Sequence, residues 1–163
     1  MDTFQACIEV MNRSVKAADH LIYVTYPLVK EEKLILASLQ NLNGALIAAV
    51  EAVLHYERLY KRIGPYPENF NSKLEIFKTK CAERYSIGRE FIVLIQDVAK
   101  LVEEHKSSPM EFTRKNKYYI FNRDYRRMEY LDVNKLKSYI SDAKIFIEKI
   151  NRIYPQNVSR NPA

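Results

Sequence analysis

At 163 residues, 47% of them apolar, the chain is long enough for one domain with a core of its own. Three glycines and six prolines are too few for the many tight turns of a β-sandwich or barrel. The formal charge of +6 is modest but unevenly spread: residues 114–130 hold six basic residues against Asp124 and Glu129, four of the six net charges, and the remainder is nearly balanced.

The first segment opens with "MDTFQACIEV", which has no basic stretch followed by an apolar one, so no secretory leader is expected. Phe4, Ile8, Met11, Val15, Ala18 and Ile22 follow at three-to-four spacing and predict one helical stripe, capped by Asp2 or Thr3 and stopped at Pro27. Cys7 and Cys81 lie far apart within helical patterns. They read as buried thiols of a protein in a reducing cytoplasm, neither a redox motif nor a zinc knuckle.

The second segment, about 31 to 63, places Ile35, Leu39, Leu42, Leu46, Val50, Val53 and Tyr60 on one side, with Leu36, Ile47 and Leu54 as a neighbouring stripe. A face that wide belongs to a central helix touching several others. Asn43-Gly44 is a turn signal, but its flanks keep the helical period, so one long helix with a weak point is expected. Seventeen uncharged residues separate Lys33 from Glu51, short of the roughly 20 that span a bilayer. A buried helix and no membrane partner follow from this. The tyrosines at the ends of these two helices read as core residues with the hydroxyl near solvent.

"IGPYPENFNS" is a loop by composition. A third helix carries Phe70, Leu74, Phe77, Cys81 and Tyr85, with Asn71 or Ser72 near its cap. A fourth carries Ile87, Phe91, Leu94, Val98, Leu101 and Val102 and ends at Ser107–Pro109. The last runs from a cap at Asp132 through Leu136, Ile140, Ala143, Ile147 and Ile150, and residues 154–163 read as a frayed tail. The fold class is therefore mainly α: a single-domain bundle of about five helices over 1–153, with a two-stranded β-hairpin at about 117–130 before the last helix.

That hairpin lies in "RKNKYYIFNRDYRRMEY", which has five aromatic residues among its cations. Strand-like residues flank "NRD", and an isolated hairpin must lean on the bundle through one face. Sequence-tolerant RNA binding uses Lys and Arg for phosphates and aromatic faces for bases. The candidate contact set is accordingly Arg114, Lys115, Lys117, Tyr119, Phe121, Arg123, Arg126 and Arg127, for RNA or an acidic protein. The plainer alternative is a hairpin whose aromatics pack and whose charges keep its edges soluble. A homodimer through an exposed strand edge is a third reading.

Candidate catalytic groups are sparse. Glu51 and His55 share a helical face and can offer two metal ligands, but no Glu-x-x-His pair completes a carboxylate-bridged centre, so neither metal nor cofactor is expected. No phosphate-cradling glycine loop, nucleophile elbow or zinc-protease motif is present. "HYERLYKRIG" places Arg58, Lys61 and Arg62 at a helix end, where cations suit the dipole or extend a basic surface.

"TYPLVKEEKLILASLQNLNGALIAAVEAVLHYERLYKRI", with "KLEIFKTKC" and "SPMEFTRKNKYYIF", resembles a group of small uncharacterised archaeal proteins, a resemblance that brings no activity with it. More distantly, the long second helix resembles those of HEPN-type bundles, which often are RNA-cleaving toxins. Their motif is Arg, four to six residues, then His; Arg13 and His20 match that spacing, on the first helix and not a later one. The resemblance thus implies either a non-catalytic HEPN-like bundle or a metal-independent ribonuclease using those two residues.

Overall fold

In a computed structural model the chain forms helices α1 (Thr3–His20), α2 (Tyr26–Val29), α3 (Lys33–Leu59), α4 (Phe70–Ile76) and α5 (Arg89–Ser107), then strands β1 (Glu111–Arg114), β2 (Lys117–Phe121) and β3 (Met128–Asp132), then α6 (Val133–Ile153). The structure describes residues 3–107, 111–114, 117–121 and 128–154, with the backbone alone for 107 and from 111 to 129. A π-helical turn, Leu21–Thr25, joins α1 to α2, and a second, Phe77–Cys81, extends α4. The described residues thus make five helical rods and one sheet, a mainly α architecture.

The expected stripe of α1 is buried throughout, from Phe4 to Ile22. Pro27 does not stop this rod. It lies in the first turn of α2, directly after the π-helical turn, and the chain leaves the helix only when Lys30 takes a left-handed conformation.

Helix α3 runs unbroken through Asn43-Gly44 and is the centre of the bundle. Its small residues Ala45, Ala48, Ala49 and Ala52 are buried, and α1 packs along it more extensively than any other pair of elements. A Cβ placed on Gly44 would stand 4.0 Å from the Ser14 hydroxyl, so the two rods approach closely there without touching. By length and composition α3 alone among the described helices is apolar enough to cross a membrane, and the bundle buries 50% of its most apolar window. Tyr60, expected on the buried stripe, lies just past the end of α3 and is exposed, because the helix stops at Leu59.

Asn69, not Asn71 or Ser72, caps α4: its side-chain oxygen accepts from the Ser72 amide at 2.8 Å. Asp132 caps α6 as expected, accepting from the Lys135 amide at 2.7 Å. Phe146 of α6 meets Phe77 edge-on at 6.2 Å and stacks on Phe91 at 5.4 Å, tying the α4 extension, α5 and α6 into one core. Asn12 and Asn151 exchange amide hydrogen bonds, the shorter at 2.9 Å, which fix α1 against α6.

The sheet differs from the expected hairpin by one strand. β2 and β3 pair antiparallel, as expected for 117–130, and β1 adds to the other side of β2 in the order β1-β2-β3. The third strand relieves the marginal stability of a lone hairpin. A second correction concerns Tyr154, the first residue of the expected frayed tail. It is fully buried, held by a hydrogen bond described below. Residues 155–163 of that tail lie outside the described residues.

Candidate functional site

Two polar features emerge, one at each end of α6. The first is the sheet. Leu131 of β3 is fully buried while its neighbour Tyr130 is 43% exposed, so the two faces of the strand differ as a pleat requires. Leu131 pairs with Tyr118, and Tyr130 pairs with Tyr119, which in turn pairs with Phe112. Cross-strand partners occupy the same face. Positions 119 and 121 therefore share a row with Tyr130, and positions 118 and 120 share one with Leu131.

A cation lies beside Tyr130. Lys135 donates to the Tyr130 carbonyl at 3.3 Å, and its ammonium sits 5.6 Å from the Tyr130 ring centre and 6.0 Å from that of Tyr139. Farther along α6, exposed Tyr23 has Lys137 at 4.8 Å and Lys144 at 5.8 Å from its ring. Lys144 is also ion-paired with Asp19. Of the sequence-derived contact residues, Arg114, Lys117, Tyr119 and Phe121 fall on β1 and β2, and Lys115, Arg123, Arg126 and Arg127 lie outside the described residues.

Arg13 and His20 are both exposed on α1. They are seven positions, or two turns, apart, which places them on one face about 10 Å apart along the axis. The His20 ring lies 3.4 Å from the Thr25 hydroxyl across the π turn. Glu51 and His55 do not converge: Glu51 accepts from Lys73 at 3.3 Å, and the His55 ring lies 3.4 Å from the Tyr66 hydroxyl. Burial works against the Lys73 ammonium, but hydrogen bonds to Glu51 and Glu68 hold its pKa above the ordinary value.

The second feature escaped the sequence reading. Glu57, in the last turn of α3, is 0% exposed. One carboxylate oxygen accepts from the Tyr85 hydroxyl, from the Tyr154 hydroxyl at 3.2 Å and from Arg62 at 3.4 Å; the other accepts from Arg84 at 2.7 Å. A buried carboxylate is tolerable because its lone pairs are filled and its charge is matched. Burial first, and hydrogen bonding to Glu57 next, pushes the Tyr85 phenol above its ordinary pKa. Burial, the Tyr85 phenol and then Glu57 do the same to Tyr154. Phe4, Tyr56 and Tyr154 close over the node, with Tyr56 and Tyr154 ring centres 4.5 Å apart.

A signal for this node was present. The stripe Leu46, Val50, Val53 reaches residue 57 at its next three-to-four step, so a glutamate stands where an apolar residue belongs. Such a substitution within a stripe announces a buried charge that needs partners.

Fold and site together define a mainly α bundle with a cationic, aromatic three-stranded sheet inserted ahead of its last helix. Comparison of the chain with protein-family models, curated proteins and solved structures finds no match.

Proposed function

We propose that the protein is a non-enzymatic binding module whose sheet holds single-stranded RNA. The observation that carries this reading is Tyr130: an exposed ring on the sheet, paired with Tyr119 and flanked by Lys135. An aromatic ring offers a stacking face to any base, and adjacent lysine and arginine charges take the phosphates without reading sequence. The run 114–130 is cation-rich in sequence, with Arg114 and Lys117 on β1 and β2, and Lys137 beside Tyr23 is a second pairing of ring and ammonium along α6.

The test is fluorescence anisotropy with a labelled mixed-sequence RNA at rising salt. Binding should weaken steeply as salt increases, and Arg126→Ala with Arg127→Ala should reduce both affinity and salt slope. Tyr130→Ala should cost about 1–3 kcal/mol of binding with little change in slope, because it removes stacking and not charge. Absence of binding at low salt sinks the reading. Retention of acidic proteins without RNA would replace RNA by a protein partner. RNA cleavage that His20→Ala abolishes would replace the binding module by a ribonuclease, and a mass doubling that disappears on shortening 114–130 would replace it by a dimeric adaptor.

A further inference from the structure

The other end of the bundle carries a second cationic feature that the RNA reading does not use. Helix α6 separates the two: Asp132 of the sheet begins it and Tyr154, which binds Glu57, follows its end, 21 helical residues or about 30 Å away. There Arg62 and Arg84 share one carboxylate, so the node holds two positive charges against one negative. Both guanidinium side chains are about half exposed, at 42% and 46%, whereas the glutamate between them is sealed.

The donor count is informative. A guanidinium has five N–H donors. Arg62 meets Glu57 and Tyr85 through Nη1, and Arg84 meets Glu57 through Nη1. Among the described residues, neither arginine makes a hydrogen bond through Nε or Nη2.

The pair is also held in place. The Arg62 amide donates to the Glu57 carbonyl at 2.9 Å, directly after Lys61 turns through a left-handed conformation at φ 58°. The Arg62 guanidinium lies 5.4 Å from the ring centre of Tyr60 and 6.0 Å from that of Tyr56. Tyr60 itself is 56% exposed, leaving an aromatic surface beside the cations. The end of α3 would ordinarily repel an anion through its open carbonyls. Here the Tyr60, Lys61 and Arg62 amides bond to the carbonyls of Tyr56, Arg58 and Glu57, and mute that repulsion.

We propose that Arg62 and Arg84, with Tyr60 beside them, form a binding site for the phosphate group of a phosphomonoester. Paired planar guanidiniums match phosphate oxygens through charge-assisted, two-pronged hydrogen bonds, and Glu57 fixes them so that little side-chain entropy is lost on binding. A phosphate dianion supplies the negative charge that the node lacks, and the ring of Tyr60 offers a stacking surface to a base attached to it.

The test is NMR of arginine Nε–H groups in the full chain, titrated at constant ionic strength with inorganic phosphate in one arm and adenosine monophosphate in the other. The Arg62 and Arg84 signals should shift together and saturate while those of the other arginines stay still. Arg84→Lys, which keeps the charge and loses the planar fork, should weaken binding by about tenfold. If the nucleotide binds more tightly and Tyr60→Ala removes only that advantage, the ligand is a nucleotide phosphate; equal binding in the two arms makes it the phosphate group alone. Saturable shifts absent from these two signals, or shared equally by all arginines, overturn the proposal. That result is read on the unaltered protein and does not depend on how any variant folds.

Discussion

Glu57 shows how one residue reorganises its surroundings. Four donors from three separate parts of the chain end on its two oxygens: Arg62 after α3, Arg84 and Tyr85 after the α4 extension, and Tyr154 after α6. An asymmetry follows from where the charges sit. Glu57→Gln leaves two half-exposed arginines that water can solvate, and keeps an acceptor for the tyrosines. It should cost about 2 kcal/mol. Arg62→Gln combined with Arg84→Gln leaves a sealed carboxylate with no cation, and should cost more than Glu57→Gln does. Urea unfolding of the two variants checks the order. A double arginine variant as stable as Glu57→Gln would show that the carboxylate does not depend on those cations for its charge.

At the scale of elements, the chain was legible wherever an apolar period ran long enough. The stripes of α1, α5 and α6 were each read from spacing and each is buried. Ends were harder, because a single local bond decides them: Asn69 captures the Ser72 amide ahead of the residues that composition favoured, and the π turn at Leu21–Thr25 carries the first rod past Pro27. Strand β1 was missed because its four residues, Glu111 to Arg114, are too short to show an alternation, and only pairing with β2 makes them a strand. The buried carboxylate was missed for a different reason. A glutamate near a helix end reads as surface until the elements that donate to it, far away in sequence, are brought together. Helix α3 offers a direct check of the long-helix reading. Gly44 sits mid-helix without a left-handed backbone, and a Cβ there would meet its nearest neighbour, the Ser14 hydroxyl, at ordinary contact distance. Gly44→Ala should therefore stabilise the protein by about 0.5–1 kcal/mol, through helix propensity and a less flexible unfolded chain. The thermal midpoint is the measurement, and a loss of stability would mean that α1 and α3 are packed too tightly at that point to accept a methyl group.

For the whole molecule, the buried weak acids set an alkaline limit. Burial pushes the Cys81 thiol up to about 11, with Glu57 adding to it, and burial likewise raises Tyr56, Tyr66, Tyr85 and Tyr154 above the ordinary phenol value. Lys73 is raised as well, held in its charged form by Glu51 and Glu68 against the opposing effect of burial. All these shifts share one sign. In each case the folded protein keeps a proton that the unfolded chain has begun to release, so stability is complete below the ordinary pKa and declines as pH climbs toward the folded value. For Cys81 that window runs from the ordinary thiol value of 9.0 to about 11, and the phenols and Lys73 extend the decline upward. Urea midpoints should accordingly be level between about pH 7 and 8.5 and fall from about pH 9 onward. Cys81→Ala isolates one contribution: it lowers stability at neutral pH by removing a buried side chain, yet its decline between pH 9 and 11 should be shallower than that of the parent. Parallel curves for the two proteins would mean that the thiol is not part of the linkage and that the tyrosines around Glu57 carry it. A curve that stays level to pH 11 would mean that the interior admits water at the node, which the sealed carboxylate and its four donors argue against.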